Sequence, residues 1–181
     1  MKYVKIFGLP IIAIILFYFF VFEQKDDSKQ SSESELVTFS TAEEYNNYIV
    51  DLQLESVKSI MLFSDACAEG NRHQMLDSYE HFELQTMLSL EQIKKLSDFN
   101  GSTELRDAAI KLFGFYVEIS QNEYKQILDV LLQSDYSEQD DITVDSLIKV
   151  VFVKEEACDS EFEKAQNKFA KDNALQMVKS N

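Results

Sequence analysis

The chain has 181 residues, and its 32 acidic against 17 basic side chains give a formal net charge of −15 at pH 7. Most of this charge, −14, lies in residues 40–181, which hold 27 acidic and 13 basic side chains. Such a surface repels phosphate backbones, so we expect no nucleic-acid partner. A single proline and four glycines leave little turn chemistry for a strand-rich fold, and long helices are expected.

An uncharged run opens the chain, since residues 6–22 read IFGLPIIAIILFYFFVF. As a helix this run spans about 25 Å, near the lower limit for crossing the hydrocarbon core of a membrane. Neither a small-residue cleavage site nor a nearby cysteine for lipidation follows it, so residues 1–22 are predicted to be a signal anchor. Lys2 and Lys5 then place the rest of the chain outside the cytoplasm. The alternative is a cleaved signal and a secreted or periplasmic domain.

Residues 23–39 are rich in Ser, Gln, Asp, Glu and Lys and contain almost nothing apolar. They cannot bury enough surface to order themselves, so they are predicted to form a flexible linker. Residues 40–181 are long enough for one domain with its own core.

Four amphipathic helices are predicted within that domain. The first begins at Thr41, where Thr41 and Glu44 have the spacing of a capping box, and it ends at Gly70. The second follows the apolar spacing of its side chains as far as Asn100, where Gly101 closes it.

The third helix is predicted to begin at Ser102 or Thr103, and the polar residues 133–141 separate it from a fourth, which Thr143 caps. Each helix has about 27 to 33 residues, and the loops between them are short. Helices of this kind pack most simply as an antiparallel up-down-up-down bundle. The predicted fold class is therefore all-α, a four-helix bundle preceded by the membrane anchor.

Several short stretches resemble a family of bacterial surface proteins of unassigned activity. They are residues 45–49, 99–101, 108–116, 122–124 and 166–173, the last reading QNKFAKDN. The resemblance implies a location in the cell envelope and a helical fold, and it supplies no reaction and no catalytic residue. Many members of that family are lipoproteins, whereas this chain lacks the required cysteine behind its apolar run.

The sequence offers little catalytic chemistry. It contains no glycine-rich phosphate loop, no G-x-S-x-G, no H-E-x-x-H and no C-x-x-C-H, so no cofactor and no catalytic residue are predicted. His73, Asp77 and His81 have i, i+4, i+8 spacing on the second helix and are candidate ligands of a transition metal. We favour the competing interpretation, a solvated polar stripe.

Four glutamates form the most specific candidate site. Glu123 and Glu155 fall on apolar stripes at similar predicted height, and the same counting brings Glu55 and Glu83 to that level. Four inward carboxylates would make a ligand-binding layer like that of di-iron bundles, although the Glu-x-x-His motif of those sites is missing. The alternatives are a buried layer of glutamates and tyrosines, or surface glutamates.

Two classes of function remain open on the sequence alone. The first is a non-enzymatic envelope domain, held on a flexible tether, whose acidic helical surface contacts another protein. The second is a bundle that binds a metal ion or small ligand in its interior. Cys67 and Cys158 are predicted to lie at different heights of the bundle and therefore to remain free thiols.

Overall fold

The structure, a computed structural model, describes residues 36–175. The predicted anchor, 1–22, and residues 23–35 of the predicted linker lie outside the described residues. Between residues 36 and 175 the fold is helical and bundle-like, with no strand, which confirms the predicted all-α class. No helix in this range is long and apolar enough to cross a membrane.

Four helical rods make up the fold. The helical elements are α1 (Ala42–Glu69), α2 (Arg72–Lys94), α3 (Glu104–Ile119), a π-helical turn (Ser120–Tyr124), α4 (Lys125–Leu131) and α5 (Glu138–Asp172). Because α3, the π-helical turn and α4 follow one another without a break, they form a single third rod.

The predicted ends of α1 are confirmed. The Thr41 hydroxyl accepts a hydrogen bond from the Glu44 amide at 3.1 Å, and the Glu44 carboxylate accepts one from the Thr41 amide at the same distance. These bonds satisfy amide donors that the first helical turn leaves without intrahelical partners. At the other end the Gly70 amide donates hydrogen bonds to the last carbonyls of α1, and its left-handed backbone, with φ of 70°, turns the chain out of the helix.

The predicted end of α2 and the predicted start of α5 are wrong. Helix α2 ends at Lys94, and Asn100 and Gly101 instead form a tight turn with φ of 52° and 79°. Helix α5 begins after Ser137, whose hydroxyl and amide both donate hydrogen bonds to the Asp140 carboxylate. Thr143 lies inside α5 and only donates a hydrogen bond to the carbonyl of the preceding turn.

Consecutive rods run antiparallel, because residues near the start of one contact residues near the end of the next. Ser56–Ser89 and Phe63–Phe82 establish this for the first and second rods. Arg106–Leu96 and Tyr79–Ser120 establish it for the second and third, and Glu104–Lys168 and Glu118–Lys154 for the third and fourth. Helices α1 and α5 meet where Gln166 donates a hydrogen bond to Asn46 at 2.9 Å.

Aromatic side chains pack together at the end of the fold where residues 36–39 lie. The Tyr45 ring packs against Phe99 and Phe169, with centroid distances of 5.3 and 5.4 Å. The Val37 amide donates a hydrogen bond to the Lys95 carbonyl, and Phe39 packs on the core. The last four residues of the predicted linker, 36–39, therefore lie against the helices.

Candidate functional site

The π-helical turn is the main irregularity of the third rod. Ser120, Glu123 and Tyr124 within the turn are buried, and their i, i+3, i+4 spacing places them on one face of the rod. The Tyr79 hydroxyl donates a hydrogen bond to the Ser120 carbonyl at 2.9 Å, which supplies a partner for a backbone oxygen within the turn. The turn thus contributes a buried carboxyl, that of Glu123, and a buried phenol, that of Tyr124, to the interior.

Glu155 faces this turn from α5. Only 3% of the residue is exposed, and its Oε2 atom has no hydrogen-bond partner among residues 36–175. Burial, and then the nearby charge of Asp159, raises the pKa of Glu155 to about 8. The carboxyl group is therefore mostly protonated at neutral pH, a state in which it can donate a hydrogen bond.

Tyr124 lies close to Glu155. Burial, and then the negative charge of Glu155, raises the pKa of Tyr124 far above its ordinary value. The ring packs edge-on against Phe63 and Phe82, with centroids 5.9 and 5.3 Å away, and its hydroxyl has no partner in the described part of the chain. An apolar wall therefore holds the Tyr124 hydroxyl in the protonated form.

Glu123 has a compensating charge that Glu155 lacks. Lys154 donates a hydrogen bond to Glu123 Oε1 at 2.7 Å and a second one to Glu118, also at 2.7 Å. These two carboxylates raise the pKa of Lys154, so the lysine stays charged. The second oxygen of Glu123 is buried and has no partner within residues 36–175.

Both cysteines are free thiols, as predicted. Cys67 is buried near Tyr124, and burial raises the pKa of its thiol to about 12. Cys158 is half-buried. We call Cys67, Glu123, Tyr124 and Glu155 the interior polar cluster.

The structure does not assemble the four predicted glutamates into one layer. Glu123 and Glu155 are inside, but Glu55 is exposed, and its carboxylate accepts a hydrogen bond from Gln85 at 3.3 Å. Glu83 is half-buried on α2, and burial, and then the charge of Glu83, raises the pKa of Tyr79 to about 12. The error for Glu55 is one of helical phase, because the buried residues around it on α1 are Leu52, Gln53, Ser56 and Val57, and Glu55 lies outside that face.

The candidate metal ligands on α2 are at the surface. His73 and Asp77 form an exposed pair, with 3.3 Å between Nδ1 and Oδ1, and His81 is exposed one turn further on. Across residues 36–175, no group of three or more His, Cys, Asp or Glu side chains has an arrangement that could hold a metal ion.

Residues that the sequence analysis did not single out complete the site. Asp159 follows Glu155 by one helical turn, and burial, with the charge of Glu163, raises its pKa to about 7. Lys154 directly precedes Glu155, and its positive charge forms an ion pair with Glu123. The i, i+4 spacing of Glu155 and Asp159 was a visible signal, because on a half-buried helix it places two acids on one face.

The fold and this cluster define a class, an all-helical acidic protein with carboxyl groups buried in its interior. Comparison of the chain with protein-family models, with curated proteins and with solved structures finds no match. The resemblance to bacterial surface proteins stays a prediction.

Proposed function

We propose that this protein is a non-enzymatic component of the bacterial cell envelope that binds another protein. In this proposal, residues 1–22 anchor the chain in the membrane, and the helices form an antiparallel four-helix bundle held outside the cytoplasm. The acidic character of residues 40–181 supports a protein partner over nucleic acid.

Exposed apolar side chains are the observation that carries the proposal. On α5, Phe152 and Val153 are 47% and 68% exposed, and on α2, Leu84 and Leu88 are 55% and 46% exposed. The outer face of a bundle helix is ordinarily polar, and clustered apolar side chains on such a face mark contacts with other molecules. Two surfaces of this fold, the outer faces of α2 and α5, have that character.

Site-specific photo-cross-linking in cells that produce the protein tests the proposal. The photoreactive side chain replaces Leu84 in one variant, Val153 in a second, and the exposed Lys125 in a control variant. We expect the chain in the membrane fraction, with a defined protein adduct from Leu84 or Val153 and none from Lys125. A chain found only in the soluble fraction, or the absence of adducts at both apolar positions, would contradict the proposal.

A second candidate function is the binding of a small ligand by the interior polar cluster. It is favoured by three buried oxygen atoms of this cluster that have no partner in the described residues, namely Glu123 Oε2, the Tyr124 hydroxyl and Glu155 Oε2. The Glu123 oxygen accepts a hydrogen bond, the Tyr124 hydroxyl donates or accepts one, and Glu155 accepts with both oxygens once it has released its proton. With Glu155 ionised, the three oxygens suit a ligand that donates hydrogen bonds, such as a small ammonium compound or a hydrated metal ion.

Thermal unfolding of the full chain tests this second function. Methylammonium chloride, zinc chloride and a chelator are added separately, to the wild type and to Glu155→Gln. A ligand that uses the cluster raises Tm of the wild type more than that of the variant. Equal shifts in the two proteins, or none, would exclude Glu155 as a ligand-binding group.

A further inference from the structure

A groove lies between the end of α1 and the start of α2, on the outer side of the fold. Its volume is about 490 Å³, and its lining residues are Leu62, Asp65, Ala66, Glu69, Gln74, Asp77, Ser78 and His81. Three of these carry carboxylates, and none is a lysine or arginine. The groove thus combines an apolar floor with a negative rim.

The placement of two of these carboxylates is unfavourable for the fold itself. Asp65 and Glu69 belong to the last turns of α1, where the helix dipole is negative, and the last turn of α1 contains no basic residue. Carboxylates at that end of a helix are destabilising, whereas basic side chains there are favourable. A positively charged partner would turn the same arrangement into a favourable one.

Apolar side chains extend the groove along the two helices. Leu62 on α1 is 55% exposed, and Leu84 and Leu88 follow on the outer side of α2 with i, i+4 spacing. Phe63 packs on Phe82, so Leu62 and Leu84 lie at similar height on adjacent helices. Grooves of this form between two helices receive the apolar face of a third helix.

We propose that this groove binds a basic amphipathic helix of another protein. Its apolar side chains lie on Leu62, Leu84 and Leu88, and its lysines or arginines pair with Asp65 and Glu69. The inference rests on the proposed function and deepens it, because it assigns one of the two apolar surfaces and the charge of the partner.

A defined peptide tests the proposal. The probe is a fluorescein-labelled 14-residue helix of leucine and lysine, with leucines at every third or fourth position; a second probe has glutamate for lysine. Binding to the full chain in uncharged detergent is followed by fluorescence anisotropy. We expect Asp65→Asn/Glu69→Gln to weaken binding of the lysine probe about tenfold, and Asp135→Asn/Glu156→Gln, with the same change in charge, less than about twofold.

Two further results complete the test. The groove variant removes repulsion at the end of α1, so its Tm should rise by about 2–4 °C, which shows that weaker binding is not a failure to fold. Light scattering should give the same mass for wild type and Leu62→Gln, because a second copy of the chain is not the proposed occupant.

The inference is overturned if both charge variants weaken binding equally, if the glutamate probe binds as well as the lysine probe, if neither probe binds, or if Leu62→Gln dissociates an oligomer. In any of these cases a cross-link from Val153 would still support the proposed function, whereas the absence of cross-links would contradict the function and not this assignment alone.

Discussion

Replacement of Glu155 by glutamine should make the protein more stable at neutral pH. The carboxyl group is buried, its Oε2 has no partner in the described residues, and its pKa is raised from 4.5 to about 8. Between these two values the folded state binds more protons than the unfolded state, so this group makes stability fall as the pH rises. The folded protein must keep a proton that the unfolded chain releases to water.

The magnitude follows from the two pKa values. For this group alone, the free energy of unfolding should be about 2.5 kcal/mol higher at pH 5.5 than at pH 7.5. Glutamine removes the ionisation cost, about 4 kcal/mol at pH 7.5 and about 1.5 kcal/mol at pH 5.5, but its amide has to be buried, at a cost of about 1–2 kcal/mol. We therefore expect Glu155→Gln to be about 2–3 kcal/mol more stable than wild type at pH 7.5, and nearly equal to it at pH 5.5.

Urea unfolding of the full chain at both pH values measures these differences. Glu123→Gln is the matched control, because Glu123 accepts a hydrogen bond from Lys154 and its loss should bring no gain in stability. If Glu155→Gln shows the same pH dependence as wild type, the buried carboxyl is not the titrating group and the reasoning fails. If Glu155 holds a metal ion, the variant is less stable than wild type at pH 7.5, and a chelator reverses the sign of this difference.

Three other predictions concern local structure. Thr41→Ala should lower the free energy of unfolding by about 1 kcal/mol through loss of the capping box, whereas Thr143→Ala, inside α5, should change it little; chemical denaturation compares the two. In the same assay Gly101→Ala should cost about 1 kcal/mol, because its φ is positive, and Gly114→Ala should gain about 0.5–1 kcal/mol, since no atom lies within 4 Å of the added Cβ. A gain in stability at Gly101, or a loss at Gly114, would refute the assigned backbone. Cys67, with a pKa raised from 9.0 to about 12, should react with iodoacetamide at pH 8 about 1000-fold more slowly in the folded chain than in urea, as measured by mass spectrometry.

The sequence predicts a helix end correctly where a few adjacent residues form the cap or the stop. The Thr41–Glu44 box and the left-handed Gly70 are such cases. The end of α2 was not readable, because Leu96 and Phe99 continue the apolar spacing of that helix while the backbone has already turned. At α5, Ser137 and Thr143 both fit a helix start, and only the contacts of Ser137 with Asp140 decide between them.

Two of the four predicted glutamates, Glu123 and Glu155, are buried as predicted. Glu155 takes its place on the stripe with Val151 and Phe162, which are both buried, so its inward direction follows from spacing. Glu55 was misplaced because the buried face of α1 is broad and its edge is not marked in the sequence. The π-helical turn shifts the helical phase of the third rod by one residue. None of its residue types is specific for a π-helix, so the sequence does not predict this shift.

The backbone pairing at Val37 sets where mechanical load enters the molecule. The Val37 amide and carbonyl pair with Lys95 and Ser97 at 2.8 and 2.9 Å, so a pull on the chain from its amino-terminal side reaches the junction after α2 before it reaches α1. Those two bonds must break before tension can unwind α1 from its first turn. In a protein tethered at its amino terminus, these two hydrogen bonds would protect the first helix against forces that act on the tether.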